Sequence, residues 1–536
     1  RAKAREWIAA ELERRSRAGD PDGLRAILAD LRKAAEAPDE ETRSVVKELT
    51  APYQPGAVLW IRKDLPGRLQ EFQAAPEEVL VCGADSLKGW ILRLDPRDGK
   101  TSWTRKGLAG PAEHVRLFGG EALTWGRRFS GAQTQGFLEL LETGAGKARW
   151  TVETSGFPAY VLPQETSILA GGTLDKGKGW FSKIERVSGN VIWERNDLPG
   201  WCMDAGAVGE DTFVWGGRPG LLGNCWIARF RPDGTDAWTP VEMEGRLHSV
   251  NVRGPSAVLF VKKASAVGGI GFQAGPRTQE ANEKTEGGIQ KAERLIGIDL
   301  ATGKIQWEVS AFPGKPTYLT ETGAGLVYGG RLPDASASWA SCLDPATGEV
   351  RWTLKDLPSF LMNLRTPGGT VQEVEILLSG CDAGSQVSWA ALLNAKDGSI
   401  RWATKEIPGA VTKSAVCDRG ILLSGNELPQ GTWIGLLDRA DGKTIWTRRT
   451  ADLPGPLVEW TLLQGGLFAC GTLAGQGSWA AEFDPKTGSP RWENGTLPSG
   501  PVRQDFRPEG ILIAGESWIA LLRSADGETK KPLYKR

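Results

Sequence analysis

The sequence is poor in the residues that most often do chemistry. Only two histidines occur, His114 and His248, which leaves little for imidazole-based metal sites or catalytic triads. The seven cysteines are odd in number and no two are adjacent, so a full disulfide framework is not expected. Cys82 in "VLVCG" and Cys470 in "LFACG" stand where similar segments carry Ala, Ser or Tyr. Both read as small core residues. Excess charge is missing too, since 65 Lys and Arg balance 65 Asp and Glu. That argues against a dedicated nucleic-acid binder, which needs a basic face to neutralise phosphates. No apolar run approaches about 18 residues, so no membrane-spanning helix is expected. Any membrane attachment is expected only through a leader or lipid upstream of Arg1.

What the sequence has in abundance is glycine and tryptophan, 69 and 23 among 536 residues. Together they suggest many tight turns, each fastened by a large aromatic side chain. Ten tryptophans mark a repeat: Trp60, Trp103, Trp150, Trp193, Trp238, Trp307, Trp352, Trp402, Trp446 and Trp492. Neighbours lie roughly 45 residues apart, a period typical of propeller blades. The gap from Trp238 to Trp307 is longer. After Trp307 come four short β-runs: "KPTYLTETG", "GLVYGG", "SWASCLDPATG" and "EVRWTLKDLP". Four strands, inner a to outer d, make one blade, and a blade is stable only between neighbours.

Near-copies of one turn precede the tryptophans. Asp95, Gly99 and Trp103 share their spacing with Asp299, Gly303 and Trp307, with Asp344, Gly348 and Trp352, and with Asp438, Gly442 and Trp446. Asp can accept from backbone N–H groups two or more residues on and so close the c–d turn. Gly accepts the positive φ, and Trp offers a flat face to the next blade plus one N–H donor. A device repeated in every unit is structural. Its variation agrees, because Glu142, Glu185, Asn394, Arg231 and Arg523 replace the Asp.

The ends of the array bear on its closure. "AVLWIRKDLPG" reads as a strand d alone, and "GILIAGESWIALLRSADGETKKPLY" supplies strands b and c, with Lys531 where Trp is expected. The N-terminal strand with Trp60 is therefore expected to complete the last blade. The expected fold is an all-β propeller of ten four-stranded blades, with eight as the alternative count.

The turn closely resembles the tryptophan-docking motif of the quinoprotein-like (PQQ-type) propeller repeats, over nearly everything after about residue 55. Dehydrogenases of that family bind pyrroloquinoline quinone with calcium, under a ring of adjacent cysteines. This sequence has no adjacent cysteines and no D-x-D-x-D-G loop. The resemblance is closer to non-catalytic bacterial scaffold propellers, including the lipoprotein scaffold of the outer-membrane assembly machinery. No catalytic, cofactor-binding or metal-ligating residue is expected. The two histidines fall on expected inner strands, where sharing a metal with Glu113 or Asp204 is the less favoured reading.

What does not repeat is left to carry function. Residues 1–54 read as a helical cap or docking segment, and 55–536 as the propeller. Ala4, Trp7, Ile8 and Leu12 share one expected helical face, and Leu24, Ile27, Leu28 and Leu31 another. A long polar insertion, 262–294, falls between strands b and c of its unit. It reads as a loop or as an arm that orders on a partner. Trp7, Leu24, Leu28, Lys262, Lys263, Phe272 and Arg277 are the candidate partner contacts, together with the variable b–c loops. The expected function is a protein-binding scaffold in a bacterial envelope or secreted assembly, outside the cytoplasm. The alternatives are a PQQ- or metal-dependent oxidoreductase using the central channel, and a structural subunit of a large complex.

Overall fold

The strand-period pattern that begins near residue 57 produces ten four-stranded antiparallel sheets in the computed structural model. The structure describes residues 2–18, 26–31, 33, 40–51, 54–130, 133–174, 177–218, 223–262, 293–333, 337–358, 360–366, 374–381, 387–417, 419–427, 431–475, 477–498, 500–501, 503–507 and 510–523. Blade 1 is a (Arg68–Ala75), b (Glu78–Asp85), c (Lys88–Leu94) and d (Thr101–Leu108), paired in that order. Blades 2 to 9 follow the same order, with strand a starting at Ala112, Phe157, Trp201, Arg246, Lys315, Phe360, Ala410 and Leu457. Neighbouring a strands pack on one another, which makes a the innermost strand. The chain is a ten-bladed β-propeller.

Blade 10 joins the two ends of the array. Its strands a, b and c are Arg503–Arg507, Gly510–Ala514 and Ile519–Leu522, and its strand d is Val58–Arg62. Trp60 pairs with Leu521, and Ile61 with Ala520. Lys531 lies outside the described residues.

The core lies between blades. Leu80, Cys82 and Ile91 of blade 1 pack with Val115 and Phe137 of blade 2, all fully buried. Leu69, Val81 and Trp90 of blade 1 pack with Leu512, Ile519 and Leu521 of blade 10. Each fully buried aliphatic or Phe side chain contributes about 1.5–3 kcal/mol, so a blade is stabilised chiefly by its neighbours.

Each c–d turn couples one blade to the previous one. Gly56, Gly99, Gly146, Gly189, Gly234, Gly303, Gly348, Gly398, Gly442 and Gly488 all take φ between +65° and +85°. Their N–H groups donate at 2.8–2.9 Å to the carbonyl that opens the turn. Each glycine faces the strand-d tryptophan of the preceding blade, where a Cβ would fall 2.3–2.8 Å from the indole. Gly99 thus meets Trp60, Gly303 meets Trp238, Gly348 meets Trp307 and Gly442 meets Trp402. Eight of these indoles donate Nε1–H to a turn carbonyl of the next blade at 2.7–3.1 Å. The Oδ1 atoms of Asp95, Asp344 and Asp438 accept from the N–H two residues on, and that of Asp299 from the N–H three on. Asn394 accepts in the same way at 3.0 Å. The backbone bond persists where the side chain changes, which is why Glu or Arg is tolerated at the Asp position.

A second tryptophan follows the b–c loops in most blades. Trp90, Trp180, Trp226, Trp339, Trp389, Trp433, Trp479 and Trp518 open strand c or immediately precede it, and each is at most 3% exposed. Gly83, Gly216, Gly380 and Gly471 on strand b lie under four of these rings, where any Cβ would collide. These tryptophans therefore belong to the inter-blade core and not to a binding loop.

The N-terminal segment is helical in α1 (Ala2–Ala18), at residues 26–31 and in α2 (Glu40–Thr50). Leu12, Leu28, Leu31 and Val46 form its small core, with Ile8 and Ile27 against them. Trp7 departs from the face expected for it. It is 66% exposed, because a residue next to Ile8 is turned about 100° from the buried stripe.

Candidate functional site

The inner strands hold the residues that do not repeat. Nine of the ten a strands carry a β-bulge early in their course. The residue after the bulge pairs with the strand-b residue that precedes a glycine in most blades, as Glu71 does with Cys82 and His114 with Trp125. Around the ring this position reads Glu71, His114, Tyr160, Asp204, Ser249, Tyr318, Asn363, Lys413 and Glu459, with Arg503 paired to Ala514 in blade 10. All ten side chains are polar or carry a polar tip, and no two neighbours are alike. Each inner strand read singly looks unremarkable. Aligning all ten would have exposed this position in the sequence.

Glu71 is the best-tied member of the ring. It is 7% exposed and joins three blades. Its Oε2 accepts from His114 Nδ1 at 3.2 Å and from the Val115 N–H at 3.1 Å. Its Oε1 accepts from Arg116 at 3.0 Å and from Arg503 of blade 10 at 3.2 Å. Burial alone would raise this carboxyl. The His114 bond, the Arg116 charge and bond, and the Val115 N–H outweigh burial and hold it at about 2. Across the ring, Lys413 of blade 8 pairs with Glu459 of blade 9 and lies 4.7 Å from the Trp460 ring centre.

The two expected histidines sit in blades 2 and 5 and do not meet. His114 stacks on Trp125 at 5.0 Å and serves Glu71, while Glu113 pairs with Arg127. His248 occupies a bulge and sets its ring edge-on to Phe260 at 5.2 Å. Desolvation, then the Lys262 charge, pushes His248 down to about 4.

The bulged residues face outward from the pairing. Ala159, Met203, Met362, Thr412 and Val458 are all exposed there, with Met203 at 44%, Met362 at 40% and Val458 at 52%. They follow directly on the d–a turns, so they edge the channel mouth on the face that also carries the b–c loops.

Of the expected partner contacts, Leu28 is buried in the helical core, so its surface is used within the segment. Lys262 ends strand b of blade 5, reaches the Thr317 carbonyl at 3.4 Å and covers the Phe260 ring. Strand c resumes at Arg294. Leu24, Lys263, Phe272 and Arg277 lie outside the described residues, as does most of the insertion.

The residues do not fit a quinone–calcium centre. None of the seven cysteines forms a disulfide, and Cys82, Cys202, Cys225, Cys342, Cys381 and Cys470 are buried. Burial pushes the Cys225 and Cys342 thiols up to about 11, and those of Cys82 and Cys202 higher still. Among the described residues no three His, Cys, Asp or Glu side chains converge as a metal-binding set. Among them, too, no helix is long and apolar enough to cross a membrane.

No family model matches the sequence, and no curated protein does. Solved structures do. BamB from Moraxella catarrhalis is 16% identical, over 67% of this chain and 93% of its own, with a TM-score of 0.34. The quinohemoprotein alcohol dehydrogenase ADHIIG from Pseudomonas putida HK5 is 11% identical, over 90% and 78%, with a TM-score of 0.36. Sqt1 from Chaetomium thermophilum, bound to the N-terminus of the ribosomal protein L10, is 11% identical over 77% and 95%, with a TM-score of 0.37.

Proposed function

We propose that this propeller is a non-catalytic scaffold that binds another protein across its b–c loop face. The observation that supports the reading is the exposed apolar set Met203, Met362 and Val458 at the channel mouth. Methionine suits a surface that must adapt to a partner, and the three side chains stand on the inner strands of three different blades, 4, 7 and 9. The polar ring below them is non-repeating, so it can fix the orientation of whatever enters. Exposed Trp7 gives the helical segment a second contact of the aromatic kind that dominates interfaces.

We further infer that the repeats are of the PQQ-like kind, on the strength of the Asp, Gly and Trp spacing. An extracytoplasmic home in a bacterial envelope or secreted assembly completes the proposal, and it rests on the resemblance alone. The binding test compares partners captured by the full chain and by the triple variant Met203→Asp, Met362→Asp, Val458→Asp. Loss of the partner with an unchanged melting temperature supports the face, and retention of the same partners sinks it. Cell fractionation tests the location.

A further inference from the structure

The first cross-strand pair of each blade joins the start of strand a to the end of strand b, on the b–c loop face. In blade 5 it sets Arg246 opposite Lys262, and in blade 6 Lys315 opposite Arg331. Like charges directly opposite each other on a sheet are destabilising. In the other eight blades no cation opposes a cation at this pair. Elsewhere on this face arginines have carboxylates: Arg68 pairs with Glu516 at 2.6 Å, Arg127 with Glu113 at 2.9 Å and Arg218 with Glu242 at 3.6 Å. Among the described residues, Arg246 and Arg331 pair with no carboxylate, and both are exposed. The same junction holds an orphan donor. Glu71, Tyr160 and Lys413 each reach the inner-strand backbone of the next blade. Blade 5 has the shorter Ser249 at that position, and its buried Oγ has no hydrogen-bond partner among the described residues.

We propose that Arg246, Lys262, Lys315 and Arg331 form a docking site for an acidic segment of the bound protein, with a carboxylate settling at each like-charge pair. The inference rests on the scaffold reading above and names the chemistry of its partner. A carboxylate between two cations replaces repulsion with charge-assisted hydrogen bonds, and the Ser249 hydroxyl has a proton to add. The flanking blades 4 and 7 present exposed Met203 and Met362, so the segment carries apolar residues on either side of its acids. Those apolar flanks favour a polypeptide over a nucleic acid, whose phosphates need an extended basic track.

The test uses the full chain and labelled probes read by fluorescence anisotropy: a glutamate-rich peptide flanked by leucines, its lysine counterpart, and a single-stranded oligonucleotide of matched charge. Only the glutamate peptide is expected to bind, and Arg246→Glu/Arg331→Glu is expected to weaken it by about tenfold or more. Arg246→Glu alone turns a like-charge pair into an opposite one, so its melting temperature is expected to hold or rise. At pH 7 the glutamate peptide is expected to shift the NMR signal of His248, two residues from Arg246, and to leave His114 of blade 2 unmoved. No binding of the glutamate peptide overturns the proposal, as does equal binding by wild type and double variant. Tighter binding of the oligonucleotide, a shift of His114 without His248, or a lower melting temperature of Arg246→Glu overturns it too. If the double variant keeps a partner that Met203→Asp, Met362→Asp, Val458→Asp loses, the acidic segment is wrong and the scaffold reading stands.

Discussion

The indole of Trp492 in blade 9 covers Gly56, which opens the N-terminal strand of blade 10. A Cβ on Gly56 would sit 2.3 Å from Cε3 of that ring, and Gly56 has φ +79°. The covalent ends of the array are thus fastened by the coupling used at the other nine junctions. Gly56→Ala is expected to destabilise by about 2–4 kcal/mol, from positive φ and overpacking together. Chemical denaturation read by tryptophan fluorescence measures it.

One turn supplies its own control. Gly146 has φ +65° and faces Trp103, whereas nothing lies within 4 Å of a Cβ on Gly144. Gly146→Ala is expected to cost stability as Gly56→Ala does. Gly144→Ala is expected to be neutral or to stabilise by up to about 1 kcal/mol, through the unfolded chain. Equal effects at the two positions would contradict the docking account.

The Asp of the turn acts as an acceptor more than as a charge. The Asp344 carboxyl is lowered chiefly by the Ala346 N–H and then by Arg351, and neutral Asn394 fills the same role. Asp344→Asn is expected to cost less than Asp344→Ala, which should lose about 1 kcal/mol. Thermal melts of the two variants decide it.

Glu71 predicts an acid limb. Its folded pKa lies below the unfolded carboxylate value of about 4.3, so its contribution is complete above that value. It is lost as pH falls from there towards about 2. Glu71→Gln is expected to destabilise at pH 7 by about 3 kcal/mol, because Arg116 and Arg503 lose a buried partner. It should also flatten the stability profile below pH 4.5. Urea titrations at stepped pH test both parts.

His248 should titrate with a midpoint near 4 by NMR, against the ordinary 6.5. Lys262→Ala is expected to raise that midpoint in part, since desolvation remains. The folded value is depressed, so this group's contribution holds above about pH 6.5 and is lost as pH falls through 4. A wild-type midpoint near 6.5 would contradict the placement of the ring.

The architecture was legible because its signal is repeated. Ten tryptophans in register outvote any local ambiguity, and Lys531 at a tryptophan position pointed to the closing strand. The strand-c tryptophans were not singled out, because each follows a loop of varying length and its burial depends on the blade next door. Trp7 was grouped with Ile8 and Leu12 on one helical face, and only the structure separates it from them by leaving it exposed. The polar ring escaped for a different reason. A β-bulge shifts register by one residue, and no local pattern announces it. Glu71, His114 and Arg503 meet only once the ring is closed.

Every junction in this ring is made of one indole and one glycine, and all run in the same direction. Such couplings are interchangeable, so a duplicated or deleted blade would find a matching partner on each side. The number ten is not written into any junction. A change in blade number would leave each docking contact matched and alter instead the angle between neighbouring blades.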